Sequence, residues 1–202
     1  MRTEDAINFL LYSYFEITLG KNDVDNVIEA AIRRAYKDAS SHVLSIDEKI
    51  KSDEDPKKRG IEIIAPQVRK LLAGELTYCI FHQETCQILK KKYEFISGKE
   101  GKREFTYGIA QKWVNMTLKY LWILGVLDDE YEDKLEVPID SYMIKQIAKK
   151  CKLDMNHIKW SSWDDFDEYS KIQDNLYERL LNDAYTRIGW ENECWIEESL
   201  KG

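Results

Sequence analysis

The sequence predicts an all-α protein, and two observations carry that prediction. Apolar residues recur at helical spacing along most of the chain, as in the stripe Ile109, Trp113 and Met116. Strand signals are weak, since the one brief candidate, 61–64, alternates poorly. With 44% hydrophobic residues, nine glycines and three prolines, we expect a single globular helical unit spanning 1–202, with room for two lobes.

Most of the expected helices have a marked beginning or end. In chain order they are 3–18 ended by Gly20, a second capped by Asp23, a short one with Pro66 in its first turn, 75–97 ended by Gly98, one from Ile109 ended by Gly125, 140–150, and a last long one from near Trp163. Ser161 or Ser162 is expected to cap that last helix. Three charged stretches are expected to be loops: Asp53–Gly60, the basic Gly98–Arg103 and the acidic Asp128–Glu136.

The net charge of −7 argues by itself against nucleic acid as a partner. Its distribution is uneven, however, because residues 89–119 hold eight basic and three acidic side chains, a local balance of +5. A basic stripe of this kind can grip a phosphate backbone. Within it, Lys90–Lys92 fits either a solvated helix end or a phosphate contact.

The cysteines and the first residues indicate a reduced, cytoplasmic setting. The four cysteines show no C-x-x-C spacing, and Thr3–Asp5 is acidic where a signal peptide needs cations. The longest apolar run, Tyr120–Leu127, is too short to span a bilayer, so no membrane partner is expected. Cys79, His82 and Cys86 share one helix face, which fits the start of a zinc site, but buried thiols beside a satisfied histidine are favoured.

Two short segments carry the candidate chemistry. The first is expected to be a tight turn feeding a helix, with free amides that attract phosphate and an amine one turn inside; it reads Gly108, Ile109, Ala110, Gln111, Lys112. The second places a carboxylate after a proline where the next helix begins; it reads Val137, Pro138, Ile139, Asp140. Capping alone would also explain an aspartate at this position.

These two segments resemble the helix-hairpin-helix DNA glycosylase superfamily, particularly its 8-oxoguanine branch. That family has a Gly-hydrophobic-Gly-x-Lys hairpin before the nucleophile's helix, then a Val-Pro-hydrophobic-Asp segment. The resemblance covers about 105–150 and implies two helical lobes around a cleft. It also implies roles: Lys112 as Schiff-base nucleophile, Asp140 as catalytic carboxylate, and Gly108, Ile109, Ala110 and Gln111 as DNA-backbone contacts. Ala110 replaces the second hairpin glycine, and Tyr107 the usual preceding proline.

The implied function is a bifunctional DNA glycosylase/AP lyase that excises an oxidised purine from damaged double-stranded DNA. Such an enzyme needs a neutral lysine as nucleophile, a carboxylate to accept a proton, and an aromatic pocket for the flipped base. No cofactor or catalytic metal is implied, and we expect a monomer. Trp113, Trp160 and Trp163 are the candidates for stacking on the base.

Two alternatives stay open at this point. The acidic stretch 128–136 and the altered hairpin favour a non-catalytic DNA-binding or protein-interaction protein that keeps a glycosylase-like scaffold. An acidic protein also suits an enzyme that acts on a small nucleoside or nucleotide through the same Lys112 and Asp140.

Overall fold

The computed structural model describes residues 3–18, 20–40, 55–93, 95–98 and 101–199. Within these ranges the chain forms eight α-helices, one β-hairpin and two 3-10 turns at Asp129–Tyr131 and Trp160–Ser162. The elements in order are α1 Thr3–Phe15, α2 Val24–Ser40, α3 Pro56–Leu72, α4 Tyr78–Tyr93, β1 Phe95–Gly98, β2 Gly101–Glu104, α5 Tyr107–Ile123, α6 Ser141–Cys151, α7 Phe166–Leu181 and α8 Arg187–Ser199. The prediction of an all-α protein is confirmed at this level.

Helix α5 forms the centre of the molecule. Fourteen of its 17 residues are buried, and α2, α4 and the Trp160–Ser162 turn pack against it. Its Trp113 is fully buried and donates an indole hydrogen bond of 3.1 Å to the carbonyl oxygen of Ile32. A Cβ at Gly60 of α3 would lie 2.2 Å from the Trp113 ring, so glycine allows α3 to approach α5 closely. Because α5 is buried almost all round, every polar side chain on it needs a specific partner.

Two helix starts and one helix end follow the capping rules. Asp23 accepts a 2.8 Å hydrogen bond from the backbone N–H of Asn26 at the start of α2, as predicted. Asp140 caps α6, also as predicted, through both Tyr142 and Met143. Gly125, with φ of +71°, follows the end of α5.

The predicted boundaries around α3 are wrong. The helix begins at Pro56, capped by Asp55, so residues 56–60 are helical instead of part of a loop; positions 53 and 54 lie outside the described residues. Pro66 lies inside the helix, not in its first turn, and residues 61–64 are helical instead of extended. One buried face, which includes Ile64, Val68 and Leu71, stabilises the helix across the proline.

Two later predictions also need correction. Helix α4 ends at Tyr93, and residues 95–98 pair with 101–104 in an antiparallel hairpin, where the sequence predicted the end of a helix and a basic loop. Helix α7 begins at Phe166 with Asp165 as its cap, while Ser161 and Ser162 lie in the preceding 3-10 turn. The last helix, α8, has no counterpart among the predicted elements.

The described residues contain no helix that is both long and apolar enough to cross a membrane. All four cysteines are free thiols; Cys86 and Cys151 are buried and Cys79 is exposed.

Candidate functional site

Lys112 and Asp140 meet in space. The Lys112 Nζ atom lies 3.2 Å from Asp140 Oδ2, with side chains only 10% and 18% exposed. The other carboxylate oxygen, Oδ1, accepts hydrogen bonds of 2.9 Å from the backbone N–H groups of Tyr142 and Met143. One oxygen of Asp140 therefore caps α6 and the other faces the amine, so capping alone does not account for this carboxylate.

The pair faces a cavity of about 570 Å³. Lys112, Met116, Lys119 and Tyr120 line it from one side of α5, at positions i, i+4, i+7 and i+8 of the helix. The other lining residues come mainly from α1, α2, α6, α8 and the Trp160–Ser162 turn: Tyr14, Arg34, Asp38, Asp140, Ser141, Tyr142, Trp160, Glu191 and Trp195. A single face of a buried helix thus presents two lysines to an open space.

Trp160 covers the lysine from one side, with its ring centroid 4.7 Å from Lys112 Nζ. Gly108 makes this placement possible. A Cβ at position 108 would lie 1.8 Å from the Trp160 carbonyl oxygen, and the Gly108 N–H donates a 2.8 Å hydrogen bond to the carbonyl of Trp163. The glycine is needed for close approach of the 160–163 segment, and Trp160 is the one of the three candidate tryptophans that lines the cavity.

The amides at the start of α5 do not point outward, so that expectation is wrong. Each is already hydrogen-bonded inside the chain: Tyr107 N–H to Asp164 Oδ1 (2.7 Å), Gly108 N–H to the Trp163 carbonyl (2.8 Å), Ile109 N–H to Thr106 Oγ1 (3.4 Å) and Ala110 N–H to the Thr106 carbonyl (3.1 Å). Gly108, Ile109, Ala110 and Gln111 are all buried. Contact of these four residues with a DNA backbone stays a prediction, which the internal hydrogen bonds do not favour.

A second buried ion pair, absent from the sequence predictions, lies in the same cavity. Lys119 Nζ donates to Glu191 Oε2, and both side chains are nearly inaccessible. Burial raises the pKa of the Glu191 carboxyl above its usual range; the Lys119 ammonium opposes this effect and the charge of Asp140 adds to it. The Lys112–Asp140 and Lys119–Glu191 pairs therefore influence each other electrostatically across the cavity.

A third polar group joins α1 and α2 to the cavity. Arg34 lies 2.9 Å from Asp38 Oδ1, and the Tyr120 hydroxyl donates to Asp38 Oδ2. The hydroxyl oxygens of Tyr14 and Tyr120 are 3.0 Å apart. Burial, reinforced by the Asp38 carboxylate, raises the pKa of Tyr120 well above its ordinary value. The charged residues that line the cavity thus form three pairs, each of one cation and one carboxylate: Arg34–Asp38, Lys112–Asp140 and Lys119–Glu191.

The Cys79, His82 and Cys86 face lies outside the cavity. His82 is buried, with Nδ1 3.3 Å from the Tyr107 hydroxyl and Nε2 3.4 Å from the Tyr169 hydroxyl. Burial lowers the pKa of His82, against the opposing influence of the Glu136 carboxylate. In the described part of the chain, no group of three or more His, Cys, Asp or Glu residues is arranged to hold a metal ion.

The remaining charged candidates are also placed away from the site. Lys90 is paired with Asp164 at 2.6 Å, while Lys91 and Lys92 are exposed. None of the residues 128–136 lines the cavity, and Glu136 turns inward to accept a 2.7 Å hydrogen bond from Tyr169. Because Lys90 is paired with Asp164, the choice between a solvated lysine and a phosphate contact stays open for Lys91 and Lys92.

Comparison with known proteins identifies no relative: no family model, no curated protein and no solved structure matches this chain. A functional assignment therefore depends on the geometry of the cavity. Its most specific feature is the contact between Lys112 and Asp140.

Proposed function

We propose that the cavity is the active site of a bifunctional DNA glycosylase/AP lyase that excises an oxidised purine from damaged double-stranded DNA. In this proposal Lys112 is the nucleophile and Asp140 the carboxylate that handles its proton. The observation that carries the proposal is the 3.2 Å contact between Lys112 Nζ and Asp140 Oδ2 inside a cavity of about 570 Å³.

The contact supports imine chemistry because it provides a route for the proton that the amine must lose. The Lys112 ammonium passes a proton to Asp140 Oδ2, and the neutral amine attacks C1′ of the nucleotide. The glycosidic bond breaks, its electron pair leaves with the base, and the base takes up the proton that Asp140 received. Ring opening passes a proton from the attached nitrogen to O4′ and gives a protonated imine at C1′. The Asp140 carboxylate then accepts a C2′ proton, and the resulting electron pair expels the 3′ phosphate.

The charge balance of the cavity supports a base, rather than a nucleotide, as its occupant. Every charged lining residue within the described chain is paired with one of opposite sign, which leaves no excess positive charge for a phosphate. The volume of about 570 Å³ lies within the usual range for small-ligand sites. Lys119 and Glu191 place a donor beside an acceptor, which suits the polar edge of a purine whose phosphates stay outside.

Two observations favour the alternative of a non-catalytic DNA-binding or protein-interaction scaffold. The amides at the start of α5 are all bonded internally, and both neighbours of Lys112, the Asp140 carboxylate and the Trp160 ring, attract a cation. In that alternative Lys112 serves only to anchor the start of α6. Its replacement then changes stability without any change in chemistry.

Borohydride trapping tests the proposal. The purified protein is incubated with duplexes that carry 8-oxoguanine or an abasic site, and the imine is reduced to a stable adduct. We expect an adduct with the wild type, none with Lys112→Gln, and an undiminished one with the control Lys150→Gln, which removes a half-buried amine that is paired with Asp183 and does not line the cavity. Absence of any adduct at low salt, where weak binding is favoured, would contradict the proposal and leave the scaffold alternative.

A further inference from the structure

We infer that Gln111 is a positioning residue that holds Asp140 against Lys112 by clamping the backbone of Ile139. The catalytic meaning of this inference rests on the proposed function, whereas the clamp itself is a feature of the fold. Gln111 was expected to face DNA, but its side chain is fully buried and points to the segment before α6.

The amide of Gln111 uses its full hydrogen-bonding capacity. Its Nε2 donates to the carbonyl oxygens of Ile139 (2.6 Å) and Gly108 (2.9 Å). Its Oε1 accepts from the backbone N–H of Ile139 (3.1 Å) and from Asn115 Nδ2 (3.2 Å). Two donors and two acceptor positions are thus all engaged, which fixes the side chain in one orientation.

The clamp acts on the reacting pair because each of its ends is the chain neighbour of one member. Gln111 precedes Lys112 on α5, and Ile139 precedes Asp140 at the start of α6. The contact between residues 111 and 139 grips both the N–H and the C=O of Ile139, as a strand neighbour would. It therefore sets the separation between the two backbones at the point where Lys112 Nζ reaches Asp140 Oδ2.

A second glutamine holds the same segment farther from the pair and provides a matched control. Gln173 of α7 accepts a 3.2 Å hydrogen bond from Val137 N–H and donates one of 2.7 Å to the Val137 carbonyl. It is as buried as Gln111 and makes the same kind of backbone contact. Val137 lies three residues before Asp140, however, and Gln173 has no chain neighbour in the pair.

Loss of the clamp is expected to loosen one oxygen of Asp140 more than the other. Oδ1 stays bonded to the first amides of α6, while the position of Oδ2 relative to Lys112 depends on the distance between the two backbones. A misplacement of about 1 Å at a reacting group can lower a rate by about 100-fold. The effect is therefore expected on the chemical step and not on DNA affinity.

The test compares Gln111→Met with Gln173→Met in two measurements. The first is the single-turnover rate of imine trapping on an abasic-site duplex, together with the Kd of that duplex. We expect Gln111→Met to trap about 10- to 100-fold more slowly with its Kd within about threefold of wild type, while Gln173→Met keeps both values within about threefold. If Gln111→Met does not fold, Gln111→Glu takes its place, since it keeps the acceptor for Ile139 N–H but loses the donor to the Ile139 carbonyl.

The second measurement needs no DNA. Lysines are reductively methylated with ¹³C, and the Lys112 resonance is assigned by its loss in Lys112→Gln. Its chemical shift at one fixed pH reports the surroundings of Nζ, namely the Asp140 carboxylate and the Trp160 ring. We expect this chemical shift to change in Gln111→Met and to match wild type in Gln173→Met. An unchanged chemical shift in Gln111→Met, or equal changes in both variants, would overturn the inference. If wild type forms no imine but the resonance moves only in the Gln111 variant, the proposed function fails while the positioning role stands.

Discussion

Helix α5 carries two buried polar clusters, one that borders the cavity and one that is packed inside the protein. The cavity cluster, Lys112 and Lys119 with Asp140 and Glu191, consists of ion pairs that border an open space. On another side of the helix, Asn115 and Tyr107 belong to a packed cluster with His82, Tyr169 and Glu136, none of which lines that space.

The contact with open space separates residues that can meet a ligand from residues that only stabilise the fold. In the packed cluster, most polar atoms bond to one another: the Tyr169 hydroxyl accepts from Asn115 at 2.7 Å and donates to Glu136 at 2.7 Å, although the buried Asn115 Oδ1 has no hydrogen-bond partner among the described residues. In the cavity cluster, the charges are paired but stay adjacent to a volume of about 570 Å³. Changes in the packed cluster should therefore act on stability, and changes in the cavity cluster on activity.

The largest expected effect comes from Asp140→Asn. Asparagine caps a helix about as well as aspartate, so the Oδ1 bonds to Tyr142 and Met143 are retained. The variant loses the carboxylate that we propose as acceptor of the Lys112 proton, and we expect imine trapping to fall by about 100- to 10,000-fold. Trapping rates and thermal unfolding are measured together; normal trapping with an unchanged Tm would assign Asp140 to capping alone.

Gly108→Ala should damage both stability and the site. The new Cβ would meet the Trp160 carbonyl at 1.8 Å, and this contact is with backbone that cannot move aside easily. We expect a loss of about 1–3 kcal/mol in unfolding free energy and displacement of Trp160 from Lys112. Gly60→Ala is the control, because its Cβ would press on Trp113 in the core instead. Equal trapping by the two variants, at matched stability, would show that Trp160 has no part in the reaction.

A pair of tyrosine variants sharpens the comparison between the clusters. Tyr169→Phe leaves buried Asn115 and Glu136 atoms without the hydroxyl, and we expect a cost of about 1–3 kcal/mol in unfolding free energy with trapping unchanged. Tyr120→Phe borders the cavity, where water can replace the lost hydroxyl, and should cost about 1 kcal/mol or less. Urea unfolding of both variants measures the difference; a larger loss for Tyr120→Phe would reverse the assignment of the two clusters.

The smallest expected effect is a pair of opposite pH dependences. Burial lowers the folded pKa of His82, so as pH falls through 6.5 the unfolded chain binds a proton that the folded protein does not, and this group's contribution makes stability fall. Burial raises the folded pKa of Glu191, so as pH rises from 4.5 the folded protein keeps a proton that the unfolded chain has lost, and stability again falls.

Unfolding free energies measured against pH test both signs. His82→Gln should flatten the decline below pH 6.5, and Glu191→Gln the decline that begins above pH 4.5. A steeper decline in either variant would contradict the corresponding sign.

Helical periodicity predicted much of the fold, because an amphipathic pattern depends only on nearby residues. It did not predict α8, nor the hairpin whose basic residues suggested a loop. At the site, residue type and spacing brought forward Lys112 and Asp140. The sequence around Lys119 is no different from that around a solvated lysine on a helix. Its burial depends on Glu191, which comes from α8.

The roles of Gly108 and Gln111 were also beyond sequence reasoning. Glycine before a helix suggested a turn with free amides, whereas it admits the backbone of Trp160, which lies 52 residues later in the chain. Gln111 was expected to contact DNA, whereas its amide binds Ile139, 28 residues later. Both roles come from tertiary contacts that no local pattern records.

Peptide mapping of the borohydride adduct identifies the lysine that forms the imine. The protein is reduced on an abasic-site duplex, digested, and the modified lysine located by mass spectrometry. We expect the sugar fragment to be attached to Nζ of Lys112, the amine that faces Asp140 in the cavity. Attachment spread over exposed lysines such as Lys91 and Lys92, or no adduct at all, would contradict it.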